Sequence, residues 1–183
     1  MQTYLTNSIK IANYYKQLGE RTFEQLEEDQ LFWSPGRTSN GIAVIVKHLW
    51  GNMLSRWTNF MTEDGEKPWR DRESEFEPDI LTKSEMMSKW KEGWKCFISA
   101  LESINPEDLE TIIYIRNEGH TIMDAIQRQL AHYPHHVGQI VTLGKLLKGD
   151  EWNSLSIPKG GSDEYNAEKF SKQKGDSHFT DHV

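Results

Sequence analysis

Apolar residues recur at helical spacing in four long segments of the chain, and no other feature of the sequence restricts the fold as strongly. The segments cover residues 3–31, about 40–60, 82–101 and about 121–148. Intervals of three and four residues place the apolar side chains of each segment along one face of an α-helix. Because four such faces can be buried against one another, the pattern predicts an all-α fold, a four-helix bundle over residues 1–168.

The connections between these segments differ in length and composition. Residues 62–82 combine one Gly and two Pro with many acidic side chains, which predicts a long, irregular second connection. Residues 111–115 are mainly β-branched and aromatic and residues 117–119 can turn the chain, so a short strand or small hairpin is predicted before the last helix. Residues 169–183 are mostly polar and are predicted to form a C-terminal tail.

The composition argues against several classes of function. A formal net charge of −7 disfavours nucleic acid as a partner, because phosphate contacts require clustered Lys and Arg. No apolar run reaches the roughly 20 residues of a membrane-spanning helix, and no leader peptide is evident, so a cytoplasmic protein without a membrane partner is expected. Cys96 is the single cysteine, which excludes an internal disulfide and a cysteine-based zinc site.

Two histidines in the last predicted helix are the strongest candidates for chemistry. His132 and His136 lie four residues apart, about one helical turn, so both imidazoles leave the same face and can bind one metal ion. A metal with open positions needs at least one more protein ligand, and the best candidate is His48, beside the apolar face of the second helix. Pro134 lies between the pair and has no N–H for the carbonyl of Leu130, which predicts a kink or a π-bulge.

These residues give the chain a resemblance to a known family. His48 and the motif His132-x-x-x-His136-x-Gly138-Gln139 resemble the DinB superfamily of metal-binding four-helix bundles. The segments 64–68, 72–77 and 152–158 resemble a bacterial branch of that superfamily whose function is not assigned. The resemblance extends over most of the chain.

The resemblance implies a divalent metal ion, zinc or nickel, on His48, His132 and His136, often in a homodimer. It also implies kinship with enzymes that transfer low-molecular-weight thiols such as bacillithiol or mycothiol. A water or thiol bound at the open position of such an ion ionises near neutral pH, so thiol S-transfer or hydrolysis of a small-molecule substrate is expected. The alternative is a non-catalytic metal-binding or dimerisation protein, in which the ion ties the second helix to the fourth.

Other residues are candidates for supporting roles near the metal. Gln139 follows His136 by three residues and is a candidate for orienting a ligand, although a helix-surface Gln is usually solvated. Arg72 and Glu75 in the long loop are candidates for closing over the site and binding an anionic group, and a surface ion pair is the alternative. His135 is predicted to point away from the pair, because adjacent helical residues are about 100° apart.

Overall fold

The computed structural model of the chain describes residues 2–36 and 38–182, except the side chain of His182. These residues are mainly helical, as predicted. The helices are α1 (Gln2–Glu24), α2 (Glu28–Phe32), α3 (Ile42–Trp57), α4 (Lys83–Ser103), α5 (Ile122–Lys148) and α6 (Ser162–Phe170). The strands β1 (Ile112–Ile115) and β2 (Glu118–Thr121) pair antiparallel. Within the described residues, none of the helices combines the length and the apolar character that crossing a bilayer requires.

The four long helices bury their apolar faces in one core. α3 packs along α4 and α1 packs along α5, while α1 also contacts α4 and α3 also contacts α5. The ring of Trp90 on α4 lies edge-on to that of Phe23 on α1, with 5.0 Å between centroids. Phe97 on α4 contacts Tyr133 on α5 at the same centroid distance. Large aromatic rings therefore join the helices, and their burial contributes much of the hydrophobic stabilisation.

The first predicted helix, residues 3–31, is two helices in the structure. The chain turns at residues 25–27 between α1 and α2. Glu27 caps α2, and its backbone N–H donates to the side-chain oxygen of Gln30 at 3.0 Å. Leu26 is buried within this turn, so the apolar pattern continues across it and gives no sign of the break.

α5 begins and ends where the sequence predicts. The hydroxyl of Thr121 accepts a hydrogen bond from the backbone N–H of Asp124 at 3.0 Å, which caps the helix. Gly149 ends it with a φ of 55°, a left-handed conformation that glycine adopts without steric cost. The chain stays α-helical on both sides of Pro134, with no π-turn. Of the two alternatives predicted at Pro134, the π-bulge is therefore absent from the described helix, and the kink stays a prediction.

A two-residue turn joins β1 to β2 at Arg116 and Asn117. Both residues have positive φ, 57° and 60°, as a type I′ hairpin turn requires. The predicted hairpin is thus present, and its turn begins one residue earlier than the sequence indicates.

The long connection between α3 and α4 is tied to this hairpin and to α3. The carboxylate of Asp64 accepts hydrogen bonds from the backbone N–H groups of Arg116 and Asn117, each at 2.8 Å. The hydroxyl of Ser55 on α3 donates to the carbonyl of Gly65 at 2.6 Å. These bonds fix the path of the loop at residues 64 and 65, where it meets the hairpin and α3.

The C-terminal residues return to α1. The ring of Phe179 contacts that of Tyr14 at 5.7 Å between centroids, and Asp181 forms an ion pair with Lys10 at 2.7 Å. The predicted boundary at residue 168 lies inside α6. The division into a bundle and a polar tail stays a prediction.

Candidate metal centre

Three histidines from two helices converge on one point. His48 projects from α3, and His132 and His136 project from successive turns of α5. The Nε2 atom of His132 lies 3.4 Å from Nε2 of His48 and 3.1 Å from Nε2 of His136. Two nitrogen ligands of a tetrahedral zinc ion, each about 2.0–2.1 Å from the metal, are about 3.3 Å apart. The spacing of these nitrogens therefore suits a single ion.

The other nitrogen of each ring meets a side-chain oxygen. Nδ1 of His48 lies 2.9 Å from Oε2 of Glu75, and Nδ1 of His136 lies 2.7 Å from Oε1 of Gln139. Nδ1 of His132 lies 3.3 Å from Oε1 of Gln129. A carboxylate or amide oxygen only accepts hydrogen bonds, so the proton of each neutral ring is on Nδ1.

This protonation pattern leaves three Nε2 lone pairs facing one another. Lone pairs at such distances repel, and a cation between them removes the repulsion. Hydrogen bonds from the outer nitrogen to an oxygen are also typical of metal-bound histidines, because they fix the tautomer and the ring orientation. The donor set therefore fits a divalent metal ion.

Glu75 holds His48 from a short 3₁₀ turn, Ser74–Phe76, that packs against α3. Glu75 is 3% exposed, and its carboxylate accepts two hydrogen bonds from Arg70, at 2.7 and 3.0 Å. Burial opposes ionisation, but the hydrogen bonds from His48 and Arg70 outweigh it and hold the pKa of Glu75 below its ordinary value. The ionised carboxylate is thus fixed between a guanidinium and an imidazole.

The environment keeps two of the histidines neutral. Burial, together with the charges that His136 and His48 acquire on protonation, lowers the pKa of His132 to about 3. Burial and the neighbouring His48 and His135 also lower the pKa of His136 to about 4, against the effect of its hydrogen bond with Gln139. Neutral imidazole is the form that binds a metal, so no proton has to be displaced from either ring at neutral pH.

A cavity of about 360 Å³ opens beside the three histidines. Arg72 lies at its wall, where the guanidinium is 5.4 Å from the ring centroid of Phe76. The ring of Phe76 is in turn stacked on His48, with 5.1 Å between centroids. Of the residues that the sequence nominates around the metal, Gln139 and Glu75 contact the histidines directly, and Arg72 lines the adjacent space.

Sequence reasoning missed two residues of this site. Gln129 is 2% exposed and precedes His132 by three residues, so the helical spacing that singles out Gln139 applies equally to it. Arg70 has no comparable signal, because only the folded loop brings it to Glu75.

Other histidines and the single cysteine lie outside the site. His135 is exposed and touches His136 through ring edges, with 5.2 Å between centroids. Cys96 is on α4, where its thiol contacts Thr58 at 3.7 Å and burial raises its pKa. A second i,i+4 pair at the C-terminus comprises His178 and His182, and the side chain of His182 is outside the described residues. Within the described residues, the triad is therefore the candidate for chemistry.

Comparison with known proteins identifies a family. No curated protein and no solved structure matches the chain. The family model of DUF1572, described as a protein of unknown function, matches residues 1–161, a range that includes all three histidines and Glu75, Gln129 and Gln139. The chain therefore belongs to the DUF1572 family.

Proposed function

We propose that this chain is a metal-dependent enzyme of the DinB type, in which His48, His132 and His136 hold one divalent ion, zinc or nickel. The site activates a thiol or a water, for S-transfer of a low-molecular-weight thiol or for hydrolysis of a small molecule. One observation carries the proposal: the three imidazoles turn Nε2 toward a common point while each Nδ1 meets an oxygen.

The chemistry follows from this donor set. Three neutral imidazoles leave a divalent ion its full charge and at least one open coordination position, where the pKa of a bound water or thiol falls toward neutrality. Each imidazole is oriented by a side-chain oxygen, from Glu75, Gln129 or Gln139, and keeps this orientation when a substrate enters. Arg70 balances the charge of Glu75 and keeps that carboxylate ionised.

The cavity favours catalysis over a purely structural role. Structural zinc sites are closed by four protein ligands, whereas catalytic sites commonly keep three and leave a position for water or substrate. The ligand group found among the described residues contains three side chains. The carboxylate of Glu75 is already engaged by His48 and Arg70. The adjoining cavity of about 360 Å³ is large enough for a small molecule.

A structural ion is the second candidate function, and the placement of the ligands favours it. His48 belongs to α3, whereas His132 and His136 belong to α5. One ion would thus tie two helices of the core together, in a non-catalytic metal-binding or dimerisation protein. On this alternative, removal of the metal unfolds the chain and no substrate is turned over.

The proposal extends to the fold and the assembly. α1, α3, α4 and α5 form a four-helix bundle of the DinB kind, and their packing about one aromatic core supports this. The resemblance to the superfamily also leads us to propose a cytoplasmic homodimer. Sedimentation velocity of the purified protein tests the dimer, and a monomer at every concentration would contradict that part alone.

Metal analysis tests the shared premise of both candidates. Purified wild-type protein is expected to contain, or to take up, one divalent ion per chain, measured by inductively coupled plasma mass spectrometry after dialysis. His48→Ala, His132→Ala and His136→Ala are expected to abolish this uptake. His135→Ala is the matched control and retains it, because the imidazole of His135 lies outside the triad. Wild-type protein that binds no ion when zinc or nickel is supplied overturns the proposal.

A second experiment separates catalysis from structure. The metal-loaded protein is assayed with low-molecular-weight thiols and electrophilic acceptors, and with hydrolysable esters and amides. Turnover that disappears on chelation and returns with added metal, in a chain that stays folded throughout, supports the enzyme. Unfolding on chelation without turnover supports the structural ion.

A further inference from the structure

Arginines are concentrated around the cavity beside the triad. Among the described residues that line it, five are arginines. They are Arg56, Arg70, Arg72, Arg116 and Arg128. The whole chain contains seven arginines and carries a net charge of −7. None of the described lining residues is a lysine or a carboxylate. Such a concentration of guanidinium groups in an acidic protein suits the binding of an anion.

Two of these arginines use their donors in hydrogen bonds within the protein. The guanidinium of Arg56 donates to Oε2 of Glu66 at 3.1 and 3.2 Å and to the carbonyl of Gly65. Arg70 donates to both oxygens of Glu75 and to Glu66. Their side chains are at most 5% exposed. Arg56 and Arg70 therefore hold the loop and its carboxylates in place.

The other three arginines keep donors for a ligand. Arg116 donates through Nε to Glu66 at 3.0 Å, and its two terminal nitrogens have no hydrogen bond with a described residue. Among the same residues, the guanidinium of Arg72 makes one ion-pair contact, 3.5 Å to the exposed Glu73, and it lies over the ring of Phe76. Arg128 has no hydrogen bond or ion pair with any described residue and is exposed.

These three side chains come from three separate parts of the fold. Arg72 precedes the 3₁₀ turn that carries Glu75, Arg116 lies in the hairpin turn, and Arg128 is one helical turn before His132 on α5. Five guanidiniums face three paired carboxylates, those of Glu66, Glu73 and Glu75. The carboxylate of Asp64 also lies close enough to interact with the charge of Arg56, so the wall has an excess of one positive charge next to the triad.

We propose that Arg72, Arg116 and Arg128 bind an anionic oxygen group of the substrate, a carboxylate or a phosphate, and so present the rest of that molecule to the triad. Arginine suits this task, because its planar fork donates two parallel hydrogen bonds to such groups and stays charged. The inference deepens the proposed function, on which it rests for the placement of the reacting group. Binding of the anion itself depends only on the arginines.

Isothermal titration of the full-length chain with inorganic phosphate and with succinate tests the proposal. The metal-free protein is used first, so that neither anion can bind through the metal, and the zinc-loaded protein is used second. Wild type is expected to bind at least one of the anions, and the tighter of the two identifies the group. The triple variant Arg72→Gln/Arg116→Gln/Arg128→Gln is expected to bind at least about tenfold more weakly, because it loses charge-assisted hydrogen bonds.

Lys95→Gln is the control for loss of charge, since Lys95 is exposed on α4 and has no ion pair among the described residues. It should bind both anions as wild type does. Circular dichroism checks that the triple variant is folded, as expected for three exposed side chains. Failure of wild type to bind either anion, or equal binding by a folded triple variant, overturns the inference. Metal content is measured on the same samples, so loss of the metal site and loss of the anion site are seen separately.

Discussion

Gly51 on α3 lies directly against the carboxylate of Glu75. A Cβ atom added at position 51 would lie 2.4 Å from Oε1 and 2.8 Å from Cδ of Glu75, closer than real side-chain contacts permit. Gly51 follows His48 by three residues, so both face the same side of the helix. The missing side chain thus creates the space through which a loop carboxylate reaches a histidine of α3.

Gly51→Ala is expected to weaken metal binding by about 10- to 100-fold, the usual range when a hydrogen-bond partner of a metal ligand is displaced. Glu75 cannot move aside freely, because Arg70 and His48 both hold it. Competition with a zinc-binding dye measures the affinity. Affinity equal to wild type would show that the loop adjusts without disturbing His48.

Gly138→Ala is the matched control for that variant. Gly138 lies on α5 close to the ligands, and nothing is within 4 Å of a Cβ added there. Alanine favours a helix interior over glycine by about 1 kcal/mol, so this variant should be slightly more stable and should bind metal normally. Comparison of Gly51→Ala with Gly138→Ala therefore distinguishes a steric clash with Glu75 from the general effect of replacing a helical glycine.

Gln129 and Gln139 are expected to contribute similarly to metal affinity and differently to the free energy of unfolding. Gln129 is 2% exposed, whereas Gln139 is exposed, and each holds the Nδ1 atom of one histidine. Both Gln129→Ala and Gln139→Ala should lower metal affinity by about tenfold or more. Gln129→Ala should also lower the free energy of unfolding by about 1–3 kcal/mol, because it removes a buried side chain and leaves the N–H of a partly buried imidazole unpaired. Gln139→Ala should change it by less than about 0.5 kcal/mol.

Urea unfolding of the metal-free variants and zinc competition measure the two quantities independently. Gln127→Ala is a suitable control, since Gln127 is exposed on the same helix and forms no hydrogen bond with a described side chain. Equal loss of stability in Gln129→Ala and Gln139→Ala would contradict the distinction between a buried and an exposed partner.

Helical spacing points to the three histidines and to Gln139, but it does not predict that Glu75 and Arg70 orient His48. His132 and His136 share a face because helical geometry alone relates residues four apart. His48 follows from the same reasoning applied to a second helix, combined with the need for a third ligand. These inferences depend on local spacing, and the local signals at Thr121 and Gly149 mark the ends of α5 correctly.

The loop that carries Glu75 has no such periodicity. Its path depends on contacts between residues far apart in the chain, such as that of Asp64 with Arg116 and that of Ser55 with Gly65. An acidic, irregular segment looks the same in sequence whether its carboxylates face solvent or a buried imidazole. The break between α1 and α2 is hidden for a related reason, because Leu26 remains buried in the turn.

Protonation of His132 and His136 is expected to destabilise the metal-free protein. Their pKa values in the folded chain are lowered to about 3 and about 4, below the value of about 6.5 in an unfolded chain. The unfolded state therefore takes up these protons first as the pH falls. The free energy of unfolding should decrease from about pH 6.5 to about pH 3, and this contribution should be constant above about pH 7.

Urea unfolding of the metal-free chain at several pH values between about 7 and 5 measures this slope. The double variant His132→Ala/His136→Ala is expected to show a shallower dependence, because the two titrating groups are gone. Gln127→Ala should retain the wild-type slope, since the exposed Gln127 on the same helix does not titrate. A double variant with the wild-type slope would assign the pH dependence to other groups.

Asp64 is expected to control the position of Arg116 at the cavity wall. Its carboxylate accepts hydrogen bonds from the backbone N–H groups of the two turn residues, Arg116 and Asn117. Asp64→Ala removes both bonds and a third, from the backbone N–H of Glu66 at 2.7 Å, so the free energy of unfolding should fall by about 1–3 kcal/mol. The larger effect should be on phosphate or succinate binding, since a released turn no longer holds Arg116 beside Arg72 and Arg128.

Asp71→Ala is the control that distinguishes loss of the hydrogen bonds to the hairpin turn from loss of a negative charge. Asp71 lies in the same loop and accepts its hydrogen bond from the backbone N–H of Ser74, three residues away, at 3.2 Å. Both variants remove one negative charge, which by itself should strengthen anion binding slightly. Titration with the two anions is therefore expected to show weaker binding in Asp64→Ala and equal or slightly tighter binding in Asp71→Ala. Parallel changes in the two variants would mean that charge alone, and not the position of the hairpin turn, governs the cavity.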